Sequence, residues 1–498
     1  MKAVRFANVT LFTGGISCLV FLSYLVYQHG WAGHYLFLIA VAGALLVSLG
    51  LQPSMKINLT LLIISTVIAS YTAELILAQA STTILASDWS PWIAWSRDEL
   101  DSRSELERRL HGNFDSRNRL EVIQDLYREG IEAYPPIGAK LFLPAEPSHS
   151  LVSMIQIDGL PVLPLGGISN KVTVYCNENG QFTIYKSDEH GFHNPYGIWS
   201  NSAIDIGVIG DSFTHGACVP TDKNFVALIR HQYPVTLNLG MGASGPLIEL
   251  ATLSEYLIGM KPKLVLWVYY EGNDLKDLST EKDNPLLMSY LTDTADQGLL
   301  NKQVVVDQAL TGLVKRVMKD IEQDSSRANR RQVAERFIKL SHIREKLQLL
   351  KLPGLTQEAT ETKESEKASQ ETVELFRRVL QKAIKSVTAR EGRVAFVYLP
   401  QWARYSNPSH ASQDRERILE LVRGLGIPVI DIHPAFAAQK DPLALFPFRL
   451  PGHYNEQGNR IVAEEVLRFI HASGETRGPL QAADRAQSTR PDFAWSLH

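Results

Sequence analysis

Ser212 stands in the stretch IDIGVIGDSFTHGACV, at the end of an apolar run that reads as a buried strand. A serine at a strand-to-helix turn presents its hydroxyl at the edge of a sheet, where helix N-terminal amides stabilise negative charge. Its hydroxyl is a poor nucleophile without an adjacent base. Lacking one, Ser212 would be a helix N-cap. His453, in LPGHYNEQG before an amphipathic run, is placed to act as a general base. The glycine turn NLGMGASGP exposes backbone N–H groups at Gly240, Gly242 or Gly245, which suits an oxyanion. Asn273, in YYEGNDL, could donate a side-chain amide to the same oxyanion. Each residue also has a plain structural reading: a strand-to-helix turn, a capping Asn, a surface His. Their placement after successive apolar strands is what sites at the carboxyl ends of parallel strands require.

Those strands read IDIGVIG, VTLNLG, KLVLWVYY, RVAFVYLP and IPVIDI, with helical stretches such as NFVALIRHQY and RERILELVRGL between them. Short buried strands alternating with helices argue for a parallel sheet covered on both faces. The alternation occupies residues 201–472 and is interrupted by a helical insertion over about 275–372. Within the insertion, TQEATETKESEKASQET has a disordered composition, as has the tail 473–498. Residues 81–200 read as a linker. It holds a charged helical stretch over about 96–130 and two alternating runs around Asn179-Gly180, a hairpin signal.

Residues 1–80 hold three apolar runs, about 9–27, 34–51 and 57–77, each near the roughly 20 residues that cross a bilayer. Lys2 and Arg5 before the first, and Lys56 before the third, place the N-terminus and second loop in the cytoplasm. Three crossings then put the rest of the chain on the far side, with Trp89, Trp92 and Trp95 as an interfacial belt or a small packing patch. A net charge of −3 gives no sign of a nucleic-acid partner. Cys176 and Cys218 read as two free buried thiols, with a disulfide on an oxidising side as the alternative. No metal-ligand spacing is present and no cofactor is expected.

In its four blocks the chain resembles the SGNH, or GDSL-like, hydrolase superfamily over about residues 200–472. The resemblance implies a flavodoxin-like three-layer α/β/α domain, here behind three transmembrane helices. It implies Ser212 as nucleophile and His453 as base. The oxyanion hole would be Ser212, Gly242 and Asn273, with Gly240 and Gly245 as rivals to Gly242 and with Asp211 and Asp274 in support. Two positions depart from the pattern. Glu271 stands where the third block usually has Gly. Leu450 stands three residues before His453, where the family commonly has the triad Asp. A Ser212–His453 dyad, a backbone carbonyl, or a carboxylate such as Asp431 or Asp441 are the alternatives. The segment SDEHGFHNP also resembles the Asp-x-x-Gly-Phe-Arg-Asn lead-in of membrane-bound members, with His193 at the Arg position.

The resulting expectation is a membrane-anchored serine esterase in the inner membrane, multi-pass, with its C-terminal domain extracytoplasmic. It would act on O-acyl or O-acetyl groups, with cell-envelope carbohydrate as the substrate. Two alternatives remain. One is an O-acyltransferase for an exported polysaccharide, working with a membrane acyl-carrier partner. The other is a catalytically silent glycan-binding or assembly subunit.

Overall fold

The computed structural model describes residues 2–29, 36–80, 114–115, 117–143, 155–157, 160–292, 295–338, 368–407 and 414–473. Trp89, Trp92 and Trp95, residues 96–113 of the charged helical stretch, the polar linker in the insertion and the C-terminal tail lie outside these residues. The chain divides into two compact units, residues 1–87 with 321–359, and 88–320 with 360–498.

The first unit contains α1 (Lys2–His29), α2 (Leu36–Val47) and α3 (Pro53–Ala80). Phe12, Phe21, Leu61, Leu62 and Ile68 stay exposed on α1 and α3. A Cβ on Gly15 would meet Leu46 at 2.9 Å, so a small residue there lets α1 and α2 approach closely. Among the described residues, two segments are long and apolar enough to cross a membrane, Lys2–Ser23 and Pro53–Ala73. The expectation of three crossings is corrected on this point. The middle element is a 12-residue helix followed by a 3-10 turn. At about 1.5 Å per residue it spans about 18 Å, short of a hydrocarbon core of about 30 Å.

The second unit is built on a five-stranded parallel sheet: β6 (Ile206–Ile209), β7 (Thr236–Asn238), β8 (Leu264–Tyr270), β9 (Arg393–Leu399) and β10 (Val429–Asp431). Their spatial order is β10-β9-β8-β6-β7, with every pairing parallel. Counted within the sheet this is 2-1-3-4-5, the flavodoxin-like order, with its switch point between β6 and β8. Side chains alternate along β8. Val265, Trp267 and Tyr269 enter one apolar cluster, and Leu264, Leu266 and Val268 the other. Helices cover both faces, which is why these strands read as continuous apolar runs.

Two smaller sheets precede this one, one of them the antiparallel pair β2 (Ile155–Ile157) and β3 (Leu160–Val162). In the other, β4 (Val172–Val174) pairs in parallel with β1 (Ala133–Tyr134) and antiparallel with β5 (Ile184–Lys186). The Asn179-Gly180 hairpin is therefore present, with a wider turn than two residues. Pairing ends at Cys176 and Thr183, leaving 177–182 as the turn. Asn177 Oδ1 accepts from the Gly180 amide across it at 2.9 Å, and Gly180 takes a positive φ of 94°.

The described part of residues 275–338 holds the helices Asp274–Glu281, Pro285–Ser289 and Leu299–Ile338, and the first half of the last is integral to the core. Leu299, Val306, Leu310 and Val314 of the long helix Leu299–Ile338 are buried in the larger cluster. Just ahead of that helix and on it, Gln297 and Asp307 bond to Leu163 and Ser169 of the segment that precedes β4.

Candidate active site

β6 ends at Ile209, and Gly210-Asp211 turn the chain into α4 (Ser212–His215). The N-cap of α4 is Asp211, whose side chain accepts from the Phe213 amide at 2.9 Å. Ser212 is thus relieved of the capping role. It is half-buried at the head of the helix. Burial pushes the Asp211 carboxyl up to about 6.

His453 lies in the loop before the C-terminal helix Glu456–Ser473. Its Nε2 is 2.8 Å from Ser212 Oγ, across 241 residues of sequence. Its Nδ1 is 2.8 Å from Glu178 Oε1, and its backbone amide donates to Glu178 Oε2 at 2.7 Å. The carboxylate fixes the tautomer: Nδ1–H donates to Glu178, leaving the Nε2 lone pair to accept the Ser212 hydroxyl. The result is an unbroken Ser–His–Glu relay whose acid comes from the turn between β4 and β5. A Cβ on Gly452 would lie 2.6 Å from Glu178 Oε2, so the loop must carry glycine to let the carboxylate in. Phe213 completes the setting. It stacks on Tyr270 at 4.0 Å and lies 4.7 Å from the His453 ring.

The acids weighed from sequence are elsewhere. Asp431 pairs with Arg415 and accepts from the His433 amide. Asp441 pairs with Arg449 at 2.5 Å. Leu450 is 40% exposed. No spacing rule links Glu178 to His453, because the two sit on different sheets' connections 275 residues apart.

Cys176 and Cys218 correct a second expectation. They form a disulfide, with Cα atoms 5.1 Å apart. Cys218 follows α4, and its Sγ is 3.9 Å from His453 Nδ1. Glu178, Cys218 and His453 lie close enough together to suggest a metal site. The sulfur is already committed to Cys176, however, and the other two groups to the relay.

Among the expected oxyanion groups, the three glycine amides already have acceptors. Gly240 donates to Asn238 Oδ1 at 2.9 Å, and Gly245 to Glu281 Oε1 at 2.6 Å. Gly242 donates to His215 Nδ1 at 3.2 Å, the longest of the three. His215 is buried and its Nε2 meets Tyr185 Oη at 2.6 Å, so it is the neutral tautomer with Nδ1 free to accept. Burial among aromatic rings holds its pKa well below the usual imidazole range. Asn273 occupies the N-cap position of the helix Asp274–Glu281, yet its side chain makes no capping bond. It lies beside the Asp211 carboxyl, at the β8 end of the switch point. Asp274 is fully buried beneath it and accepts from the Tyr270 amide at 2.9 Å. Asp211 and Asp274 therefore shape the turns that carry Ser212 and Asn273.

The departure at Glu271 has a structural reason. Glu271 is buried and forms an ion pair with Arg404, while its Oε2 accepts from the Gln401 amide at 3.0 Å. It clamps the connection after β9 to the connection after β8. The lead-in segment is also structural. Asp188 Oδ1 accepts from the His190 and Phe192 amides, and Oδ2 from Asn194 and Trp199. Asn194 exchanges two 2.8 Å bonds with the Asn238 backbone, and Asn238 Nδ2 donates to the Thr214 carbonyl. His193 is stacked on Tyr185 at 3.9 Å with Nδ1 donating to the His215 carbonyl, and burial lowers its pKa to about 4.

No family model and no curated protein matches the chain. Among solved structures it is similar to a member of the lipolytic protein G-D-S-L family from Veillonella parvula DSM 2008, with a TM-score of 0.29 and 12% identity over 54% of this chain and 99% of that one. The lipase/acylhydrolase from Enterococcus faecalis gives a TM-score of 0.30 and 12% identity, covering 54% of this chain and 96% of that one. A two-domain esterase active on acetylated mannans gives 0.27 and 13%, covering 60% and 55%. Scores and identities of this size leave the Ser212–His453–Glu178 geometry as the ground for a functional reading.

Proposed function

We propose that the chain is a membrane-anchored serine ester hydrolase of SGNH type. The observation that carries this reading is the relay of two 2.8 Å contacts from Ser212 Oγ through His453 to Glu178. In the first half-reaction Ser212 Oγ attacks the ester carbonyl and its proton passes to His453 Nε2. Glu178 holds the imidazole in the reactive tautomer and stabilises the imidazolium. The Ser212 amide and the Asn273 side chain bind the oxyanion, and Gly242 adds its amide where the oxyanion competes with His215. His453 then protonates the leaving alcohol as the C–O bond breaks. In the second half-reaction water, deprotonated by His453, releases the acid and restores Ser212.

Glu178 supplies the group missing at position 450, the absence that kept a silent binding subunit as an alternative. We place the site on the extracytoplasmic side, acting on O-acyl, in particular O-acetyl, groups of envelope carbohydrate. With two candidate crossings rather than three, helix parity no longer supports that side. The Cys176–Cys218 disulfide does, because such bonds persist in oxidising compartments. An O-acyltransferase would share the acyl-enzyme and differ only in the acceptor.

The full-length protein, in detergent, is incubated with a fluorophosphonate probe and with a chromogenic acetyl ester. Labelling and turnover are expected in the wild type and lost in Ser212→Ala. Equal labelling of both proteins, or of neither, would sink the hydrolase reading.

A further inference from the structure

Glu178 reaches His453 from outside the five-stranded sheet, on a turn whose own strands belong to the sheet of β1, β4 and β5. Several contacts join this hairpin to the segment that begins with Ser212. Asn179 Nδ2 donates to the Cys218 carbonyl, and Thr183 Oγ1 donates to the Val219 carbonyl at 3.1 Å. Tyr185 Oη meets His215 Nε2. The fourth, and the covalent one, is the Cys176–Cys218 bond. It lies two residues from Glu178 on one side and six from Ser212 on the other. Both half-cystines are buried, and Cys218 holds a left-handed φ of 58°, a conformation that an unconstrained L residue seldom keeps. A carboxylate placed by a tethered turn is sensitive to that tether, because a displacement of about 1 Å in a catalytic array can cost about 10²-fold in rate.

We infer that the Cys176–Cys218 cross-link is a positioning element of the catalytic relay, so that full activity is acquired when the bond closes. Closure removes two electrons and two protons from the pair of thiols. A disulfide-bearing oxidant takes them by exchange: one cysteine thiolate attacks the oxidant's disulfide, and the second displaces the oxidant's thiol from the mixed disulfide. The chain is then weakly active while its thiols are reduced, and gains its activity in an oxidising compartment. This rests on the proposed roles of Ser212, His453 and Glu178.

The test is a double-mutant cycle on the full-length protein. The cross-link is severed in two ways, by Cys176→Ala with Cys218→Ala, and by reduction and alkylation of the wild type. Each is done with Glu178 present and in the Glu178→Gln background. Severing is expected to lower kcat by about 10²-fold when Glu178 is present, with a much smaller change in KM. In the Glu178→Gln background it is expected to change kcat less than about threefold, because the group it positions is already lost. An equal loss in both backgrounds would make the bond a general stabiliser and overturn the inference, as would undiminished kcat in the severed wild type. Should the alanine variant fail to fold, the alkylated wild type supplies the same comparison. Failure of the catalytic reading is a separate result: the oxidised wild type would then show no Ser212-dependent turnover.

Discussion

Glu178 Oε1 lies 2.8 Å from His453 Nδ1, and Glu178 Oε2 accepts from the backbone amide of the same residue at 2.7 Å. One carboxylate therefore sets both the tautomer of the imidazole and the position of its loop. Glu178→Gln keeps the shape but allows the wrong tautomer. It is expected to lower kcat by about 10³–10⁴-fold with a small effect on KM, on the scale of the serine-protease acid. Adding Leu450→Asp to that variant is expected to restore nothing, since position 450 is exposed and the space at Nδ1 remains filled. Steady-state kinetics of the two variants decide this; recovery in the double variant would place the acid's role at 450.

How far the sequence discloses this site depends on where each residue sits. The five strands are legible because both faces of the sheet are covered, which makes each strand an apolar run. Ser212, Asn273 and His453 are legible because they follow such runs or precede a clear amphipathic helix. Glu178 is not, because periodicity relates residues on one element and says nothing about which turn of a second sheet meets a distant loop. The same limit hides the disulfide. Two buried cysteines 42 residues apart carry no sign of a 5.1 Å Cα separation until the sheet of β1, β4 and β5 is docked beside α4. The middle apolar run misleads for another reason: composition alone does not reveal that its helix stops at Val47.

Asn273 heads a helix without capping it; its side-chain amide bonds the Asp211 carboxyl, and the proposed oxyanion role uses its second N–H. Asn273→Ala is expected to reduce kcat by about 10²–10³-fold, the range seen when one oxyanion donor is removed. KM and fluorophosphonate labelling of Ser212 at saturating probe should survive. A variant whose loss fell mainly on KM would mark Asn273 as a substrate-binding group instead.

Glu271→Gly would restore the usual third-block pattern, yet it is expected to destabilise the protein. Glu271 is buried against the Arg404 guanidinium, and removing it takes the paired carboxylate away from a half-buried positive charge. Breaking a buried pair by deleting one partner costs about 3–5 kcal/mol, with the lower end fitting here because Arg404 retains some access to water. Denaturant titration of the full-length variant reads the change directly. A loss below about 1 kcal/mol would show the pair to be incidental.

The helix Pro246–Thr252 begins over Glu281, which accepts from the Gly245 and Leu247 amides at 2.6 and 2.9 Å. Burial nevertheless raises its carboxyl from the ordinary 4.5 to about 7. A folded-state pKa above the unfolded one means the native protein holds the extra proton between them. The stabilisation is then complete below about pH 4.5 and lost as pH rises through 7. Against Glu281→Gln, which does not titrate, the wild type is expected to lose up to about 3 kcal/mol of relative stability between pH 4.5 and 8. Buried His193 titrates with the opposite sign, but it is present in both proteins and cancels in the difference. Parallel denaturation series at pH 4.5, 6 and 8 would show the gap; a difference that is flat with pH would mean Glu281 stays ionised throughout.

Compartment is the last expectation, and two features bear on it from different directions. Counting α1 and α3 alone as crossings would return the chain to the side on which it started, whereas a disulfide beside His453 calls for an oxidising side. The charges Lys2, Arg5 and Lys56 fix the cytoplasmic ends only for helices that do cross. A paired-reporter experiment separates these. Fusions after residue 32, after residue 52 and after residue 100 each carry alkaline phosphatase, active only outside the cytoplasm, or green fluorescent protein, fluorescent only inside. An extracytoplasmic domain predicts phosphatase activity after residue 100 together with in-cell oxidation of Cys176 and Cys218, read by alkylation before lysis. Fluorescence after residue 100 with both thiols alkylated would place the domain in the cytoplasm and remove the envelope substrate from the proposal, while leaving the Ser212–His453–Glu178 chemistry to stand on its own kinetics.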